Sequence, residues 1–201
     1  MIQQPGQSPR APAGIRDRPT LAASVWWEHL RTLTGIAASI AYGVAVNRAL
    51  PLPLIGGLAF GGGWGLVLLY AVQLRGIVQK DGSASWSGVL AASLAYTLVV
   101  TVAAFGIKRI PAVLDLSTVP LGVIYIAAKL GCHRIGCCNW KHAHRSPFLS
   151  LPLLEVAFTT IALTLAITVS RLLQVPGTEF CVFSICHVGS WSIAKRFRAD
   201  G

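Results

Sequence analysis

Long apolar runs are the feature of this sequence that most limits what it can fold into. Four runs of nearly uncharged residues cover 54–74, 89–107, 113–128 and 151–169, and two less regular ones cover 33–46 and 180–194. A membrane-spanning helix needs about 20 mostly apolar residues, because the hydrocarbon layer is about 30 Å thick and each helical residue rises about 1.5 Å. The pattern predicts an all-α, polytopic integral membrane protein with about six transmembrane helices, within a range of five to seven.

Composition supports the same class. Hydrophobic residues make up 54% of the chain and charged residues only 12%, whereas soluble domains carry about twice that share of charge. Residues 1–24 are rich in Pro, Gly, Gln and Arg and lack the apolar core of a cleavable signal peptide. They are predicted to form a disordered basic tail, followed by a single multi-pass domain over residues 25–201.

The positive charge of the chain relates to topology rather than to nucleic acid. The net charge is +10, but the 17 Lys and Arg are scattered between apolar runs and form no basic face with interleaved aromatics. Six spans put twelve of these cations on one side and four on the other (Arg48, Lys108, Arg109 and Arg171), with Lys129 inside a span. The positive-inside rule then predicts a cytoplasmic tail and C-terminus, an assignment that inverts for the tail if 33–46 does not span.

Within the apolar runs, the glycine-rich stretch "GGLAFGGGWG" (residues 56–65) is predicted to be a packing face, because small residues let membrane helices approach closely. Charged residues inside the runs need a specific reason, since each costs about 2.5–3.5 kcal/mol on insertion scales. Asp115 and Lys129 lie near the two ends of the 113–128 run and can reach the interface by snorkelling. Glu155 lies deeper in its run, and a buried carboxylate calls for a cation. The candidate cations are Lys129, Arg134 and Lys141.

The stretch "GCHRIGCCNWKHAHR" (residues 131–145) concentrates cysteine and histidine. Its candidate donors for zinc are Cys132, His133, Cys137, Cys138, His142 and His144. Structural zinc sites usually use two separated pairs, whereas Cys137 and Cys138 are adjacent, and a C-x-x-C redox pair is absent. An odd total of five cysteines predicts no disulfide framework. The alternative is that the cysteines are packing residues and the histidines belong to a basic interfacial loop.

Two longer segments resemble a known family. "GSASWSG" (residues 82–88) precedes a predicted span, and "LDLSTVPLGVIYIAAKLGCHRIGCC" (residues 114–138) follows it. The second segment contains Asp115, then Lys129 fourteen residues later, then a Gly-Cys-Cys ending at Cys138, and "LPLLE" ends at Glu155. In order and spacing this pattern, which covers about half of the chain, is similar to that of prolipoprotein diacylglyceryl transferases.

The resemblance implies a membrane enzyme that moves the diacylglyceryl group of phosphatidylglycerol onto the lipobox cysteine of a prolipoprotein and forms a thioether. It implies a bacterial-type inner membrane, no cofactor and no metal, with the phospholipid and the prolipoprotein as partners. Lys129 is expected to anchor phosphate, Glu155 to pair with Lys129 or orient the substrate, and Ser87 to lie in the catalytic site. The expected substrate-binding residues are Asp115, which caps or orients its helix, Gly131, Cys132, Arg134 and Gly136.

Three positions depart from the family pattern. The family's histidine falls on Ser87, its signature arginine on Lys129, and a late arginine near Trp191. Lysine keeps the charge but lacks the planar bidentate grip of arginine. The family's site is also expected to face the outer leaflet, whereas the positive-inside rule puts residues 131–145 on the cytoplasmic side. Two alternatives therefore stay beside the transferase hypothesis: a non-catalytic relative that kept the fold, and a Cys/His metal-binding or redox membrane protein.

Overall fold

The computed structural model describes residues 21–50, 52–78, 86–135 and 150–197, and over these ranges the chain is helical with no strand. The elements are α1 (Leu21–Ala49), α2 (Leu54–Val78), α3 (Trp86–Phe105), a 3₁₀ turn (Ile107–Arg109), α4 (Ile110–Ile135), α5 (Leu151–Leu173) and α6 (Thr178–Phe197). Each apolar run falls in one helix, except that the 89–107 run ends in the turn after α3. The all-α prediction is confirmed for the described residues.

Two stretches are candidate membrane spans by length and composition. The first, Ile107–His133, comprises the 3₁₀ turn and most of α4, and the second, Leu151–Leu173, is α5. Shorter apolar stretches occupy Leu54–Tyr70 in α2 and Ala91–Phe105 in α3. The described residues thus contain two helices able to cross a bilayer by these criteria, which is weak support for a membrane protein.

Two boundaries differ from the sequence prediction. Helix α1 begins at Leu21, so residues 21–24 are helical, and the predicted tail otherwise lies outside the described residues. Helix α4 continues to Ile135, so the first five residues of the 131–145 stretch form its last turn rather than a loop. Residues 136–149 also lie outside the described ranges.

Neighbouring helices run in opposite directions, which gives the bundle two ends. At one end, Leu50 and Leu52 after α1 belong to the same core cluster as Phe105 at the end of α3, Val113 in α4 and Phe180 in α6. We call this the Asp115 end. At the opposite end, a hydrogen bond of 2.6 Å joins Ser150 Oγ, before α5, to His133 Nδ1 in the last turn of α4. This second end is called the Lys129 end.

Glycines allow α1 and α2 to touch backbone to backbone. A Cβ at Gly61 would meet the carbonyl oxygen of Ser39 and would lie 2.7 Å from the amide nitrogen of Gly43. A Cβ at Gly57 would lie 2.6 Å from the carbonyl oxygen of Gly43. The prediction that the glycine-rich stretch is a packing face is confirmed, because no larger residue fits at these positions.

Hydroxyl groups line the interior beside the apolar core. The indole Nε1 of Trp64 in α2 donates to Ser93 Oγ in α3 at 2.6 Å. The hydroxyl of Tyr42 in α1 donates to the carbonyl of Val113 in α4 at 3.2 Å. These two bonds join α2 to α3 and α1 to α4, and they satisfy polar groups that water does not reach. Helix α4 also contains a buried proline, Pro120, between Asp115 and Lys129.

Candidate functional site

A buried ion pair joins α4 to α5. The Lys129 ammonium contacts a carboxylate oxygen of Glu155, and the two side chains are only 2% and 3% exposed. Lys129 lies six residues before the end of α4, which places the pair about 9 Å from that end along the helix. Of the three cations considered for Glu155, the structure brings Lys129 to it, while the side chains of Arg134 and Lys141 lie outside the described residues.

An aromatic residue and a histidine complete the cluster. The Lys129 ammonium lies over the ring of Tyr125, 5.2 Å from its centroid. The Tyr125 ring in turn meets the imidazole of His187 edge to face at 4.5 Å between centroids. Tyr125 precedes Lys129 by one helical turn, and His187 lies in the middle of α6. The cluster is therefore a junction of α4, α5 and α6.

His187 is held by stacking rather than by hydrogen bonds to its Nδ1 atom. Its ring stacks on Phe183, one turn earlier in α6, at 5.4 Å and an interplanar angle of 17°. The residue is 6% exposed, and its Nδ1 has no hydrogen-bond partner among the described residues. The charges of Glu155 and Lys129 both act on this imidazole. A titratable ring with an unused nitrogen thus lies beside a closed ion pair.

A second cation from α1 approaches the Lys129 end of α4. A Cβ added to Gly131 would lie 3.6 Å from Cδ of Arg31, so the arginine side chain packs over the backbone of this glycine. Gly131 is one of the substrate-binding residues that the family resemblance implies, and Arg31 is one of the cations at the end of a predicted span. The structure brings them into contact, with Cys132 partly exposed one residue further along α4.

Asp115 lies at the opposite end of the bundle. Fourteen residues separate it from Lys129, or about 21 Å along α4. Its Oδ2 accepts a hydrogen bond from the amide of Gly177 at 2.6 Å, and its Oδ1 accepts one from the amide of Phe180 at 2.9 Å. Asp115 therefore caps the start of α6 and not its own helix, since exposed amide groups at a helix N-terminus favour a carboxylate.

The other expected site residues are only partly described. Ser87 is the second residue of α3 and Arg134 belongs to the last turn of α4, but nothing is described of their side chains. Gly136 lies outside the described ranges, as do the cysteines and histidines that follow it. Trp191 lies in α6, one turn beyond His187. No group of three His, Cys, Asp or Glu side chains that could hold a metal ion occurs within the described part of the chain.

Sequence reasoning missed two residues that the fold brings to this region, Arg31 and His187. Arg31 precedes the first apolar run, where a cation contributes to the positive-inside rule. His187 interrupts the 180–194 run with an ionisable side chain. The available signal was the general one, that an ionisable residue within an apolar helix marks a functional position by default.

Comparison with known proteins returned no relative: no protein-family model matches the chain, and neither a curated protein nor a solved structure matches it.

Proposed function

We propose that the chain is a multi-pass protein of a bacterial-type cell membrane in which all six helices span the bilayer. The support is an inverted distribution of polarity. Large apolar side chains face outward, such as Ile55 at 80% and Leu66 at 68% exposure, while Lys129 and Glu155 are buried. A soluble bundle would reverse this arrangement, because apolar surface in water is unfavourable.

The outward-facing hydroxyl groups of α5 fit the same environment. Thr160, Thr164 and Thr168 are exposed, and each donates to the carbonyl four residues earlier at 2.8–2.9 Å. A hydroxyl satisfied by its own helix needs no water, which suits a surface that faces lipid.

For the activity, we infer a phospholipid-dependent transferase that moves diacylglyceryl from phosphatidylglycerol to a lipobox cysteine. The observation that carries the proposal is the buried Lys129–Glu155 pair beside His187, about 9 Å inside one end of the bundle. In the reaction a sulfur–carbon bond forms at the glycerol carbon and the carbon–oxygen bond to phosphate breaks. Glycerol phosphate leaves with the electron pair of that bond, and a nearby ammonium stabilises the departing charge.

Lys129 is the proposed anchor for the phosphate, and Glu155 holds the ammonium in place before the lipid arrives. Arg31 is the second cation at the same end, where its stem lies over Gly131. An arginine adds the planar, bidentate donor set that Lys129 lacks. With Arg31 as the second cation, a bound phosphate brings the site to two positive and two negative charges, so no net charge is left in a low-dielectric region.

A reconstituted assay tests this activity. Purified protein, phosphatidylglycerol vesicles and a lipobox peptide are incubated, and mass spectrometry follows a diacylglyceryl adduct on the peptide cysteine. We expect an adduct from the natural protein and none from Lys129→Ala. The matched control is Lys108→Ala, since Lys108 is exposed at the Asp115 end and its removal should leave the rate unchanged.

A second candidate rests on the same ion pair. Because Lys129 and Glu155 already neutralise each other, the pair is also suited to a structural role in a non-catalytic membrane protein. Folded natural protein that forms no adduct would refute the transferase proposal and favour this candidate.

A further inference from the structure

The histidine on α6 has the properties of a proton acceptor within the cluster. His187 is more than nine-tenths buried, and its Nδ1 has no hydrogen-bond partner among the described residues. A buried polar atom without a partner costs about 1–3 kcal/mol. Such a cost at a site lined by charges indicates that a ligand group or a proton completes the interaction when the site is used.

The two charged members of the cluster are poor alternatives for this role. The Lys129 ammonium has no lone pair to accept a proton. The Glu155 carboxylate is already engaged by that ammonium, so the oxygen that would accept a proton has a donor in place. A neutral imidazole, by contrast, has one nitrogen that donates and one that accepts, and unperturbed it changes charge near neutral pH.

We propose that Nδ1 of His187 takes the proton of the incoming cysteine thiol. This inference rests on the transferase activity proposed above. The S–H bond gives its proton to Nδ1, and the sulfur electron pair forms the bond to the glycerol carbon. The carbon–oxygen bond to phosphate breaks at the same time, and the imidazolium then returns its proton to the departing phosphate. No oxidant, reductant or metal enters the step.

The location has a consequence for the family resemblance. The resembling pattern would place a histidine on α3, at the position that Ser87 occupies in this chain. Here the imidazole comes from α6, which packs against both α4 and α5. The proton acceptor proposed here therefore lies on a different helix from the one that the resemblance implies.

Variants of His187 test the assignment in the same reconstituted assay. We expect His187→Gln to lower kcat about 100-fold or more, because general base catalysis typically contributes factors of that size. The KM for phosphatidylglycerol should change little. His29→Gln is the matched control, since His29 is exposed on α1. His187→Asn provides a second, smaller variant if the glutamine variant does not fold.

Two further readouts separate proton transfer from a structural role. Added imidazole should restore activity to His187→Ala, in proportion to the concentration of its neutral form. The natural protein should lose activity as the pH falls and His187 becomes protonated, and this acidic limb should be missing from the residual rate of His187→Gln. The titratable groups that face His187 are Tyr125, Lys129 and Glu155, and all three are kept in these variants.

The outcomes distinguish the two proposals. Natural protein without adduct formation overturns the transferase activity and this inference with it. An active natural protein whose folded His187→Gln variant keeps the rate and the acidic limb overturns the role of His187 alone. Loss of activity that imidazole does not restore to folded His187→Ala assigns His187 a structural role and also overturns the inference.

Discussion

Removal of one member of the Lys129–Glu155 pair should destabilise the protein far more than removal of both. Each side chain is at most 3% exposed, so a single substitution leaves a charge with neither water nor its partner. Breaking a buried pair from one side typically costs about 3–5 kcal/mol, while replacing both members by apolar residues of similar volume is often neutral or stabilising. We therefore expect Lys129→Met and Glu155→Leu each to lower the free energy of unfolding by about 3 kcal/mol or more.

The double variant should recover most of the summed loss of the two single variants, which gives a coupling energy of at least about 3 kcal/mol. The assay is reversible unfolding in mixed detergent micelles at increasing sodium dodecyl sulfate, followed by circular dichroism. Lys108→Met is the control, because an exposed lysine should change the free energy by no more than about 0.5 kcal/mol. The opposite result is that the changes in the free energy of unfolding of the two single variants sum to that of the double variant within about 0.5 kcal/mol. That result would refute the interaction between Lys129 and Glu155 and the site built on it.

Three further predictions follow from helix contacts and are measured by the same unfolding assay. Gly61→Ala should cost about 1–3 kcal/mol because its Cβ meets the backbone of α1, whereas Gly62→Ala, with no neighbour within 4 Å, should not destabilise; equal losses would contradict the packing. Asp115→Ala should lower the free energy of unfolding by about 0.5–2 kcal/mol through loss of the α6 cap. An unchanged unfolding midpoint would contradict this prediction. Trp64→Phe should cost about 1 kcal/mol and leave Ser93 Oγ without its donor; Ser93→Ala in that background should then have little effect, and a full additive loss would exclude the hydrogen bond.

The helices and the ion pair were accessible from the sequence for simple reasons. An apolar run of helical length has few alternatives, and the structure finds a helix at each of the six. Glu155 in such a run requires a cation, and Lys129 was one of three within reach. Helices that follow each other in the chain usually pack together, which favours a cation near α5. Only the packed structure selects Lys129 from the three candidates.

The position of His187 beside the ion pair and the contact of Arg31 with Gly131 could not be predicted from local sequence. Both depend on which faces of α1, α4 and α6 meet, and that is set by contacts between residues far apart in the chain. The partners of Asp115, the amides of Gly177 and Phe180, could not be predicted for the same reason. A carboxylate near the start of α4 fits a cap of its own helix equally well, and only a contact across 62 residues assigns it to α6.

The proline of α4 divides that helix into two parts with different attachments. Pro120 has no amide hydrogen, so the carbonyl of Leu116 lacks its usual helical donor. Bending at this point therefore breaks fewer backbone hydrogen bonds than bending elsewhere in the helix. We expect spin-label distances between α4 and α5 to vary more at the Lys129 end than at the Asp115 end, and Pro120→Ala to remove the difference; equal variation at both ends in the natural protein would contradict this. A bend at Pro120 would move the half of α4 that holds the ion pair, while the half that holds the cap of α6 stays in place.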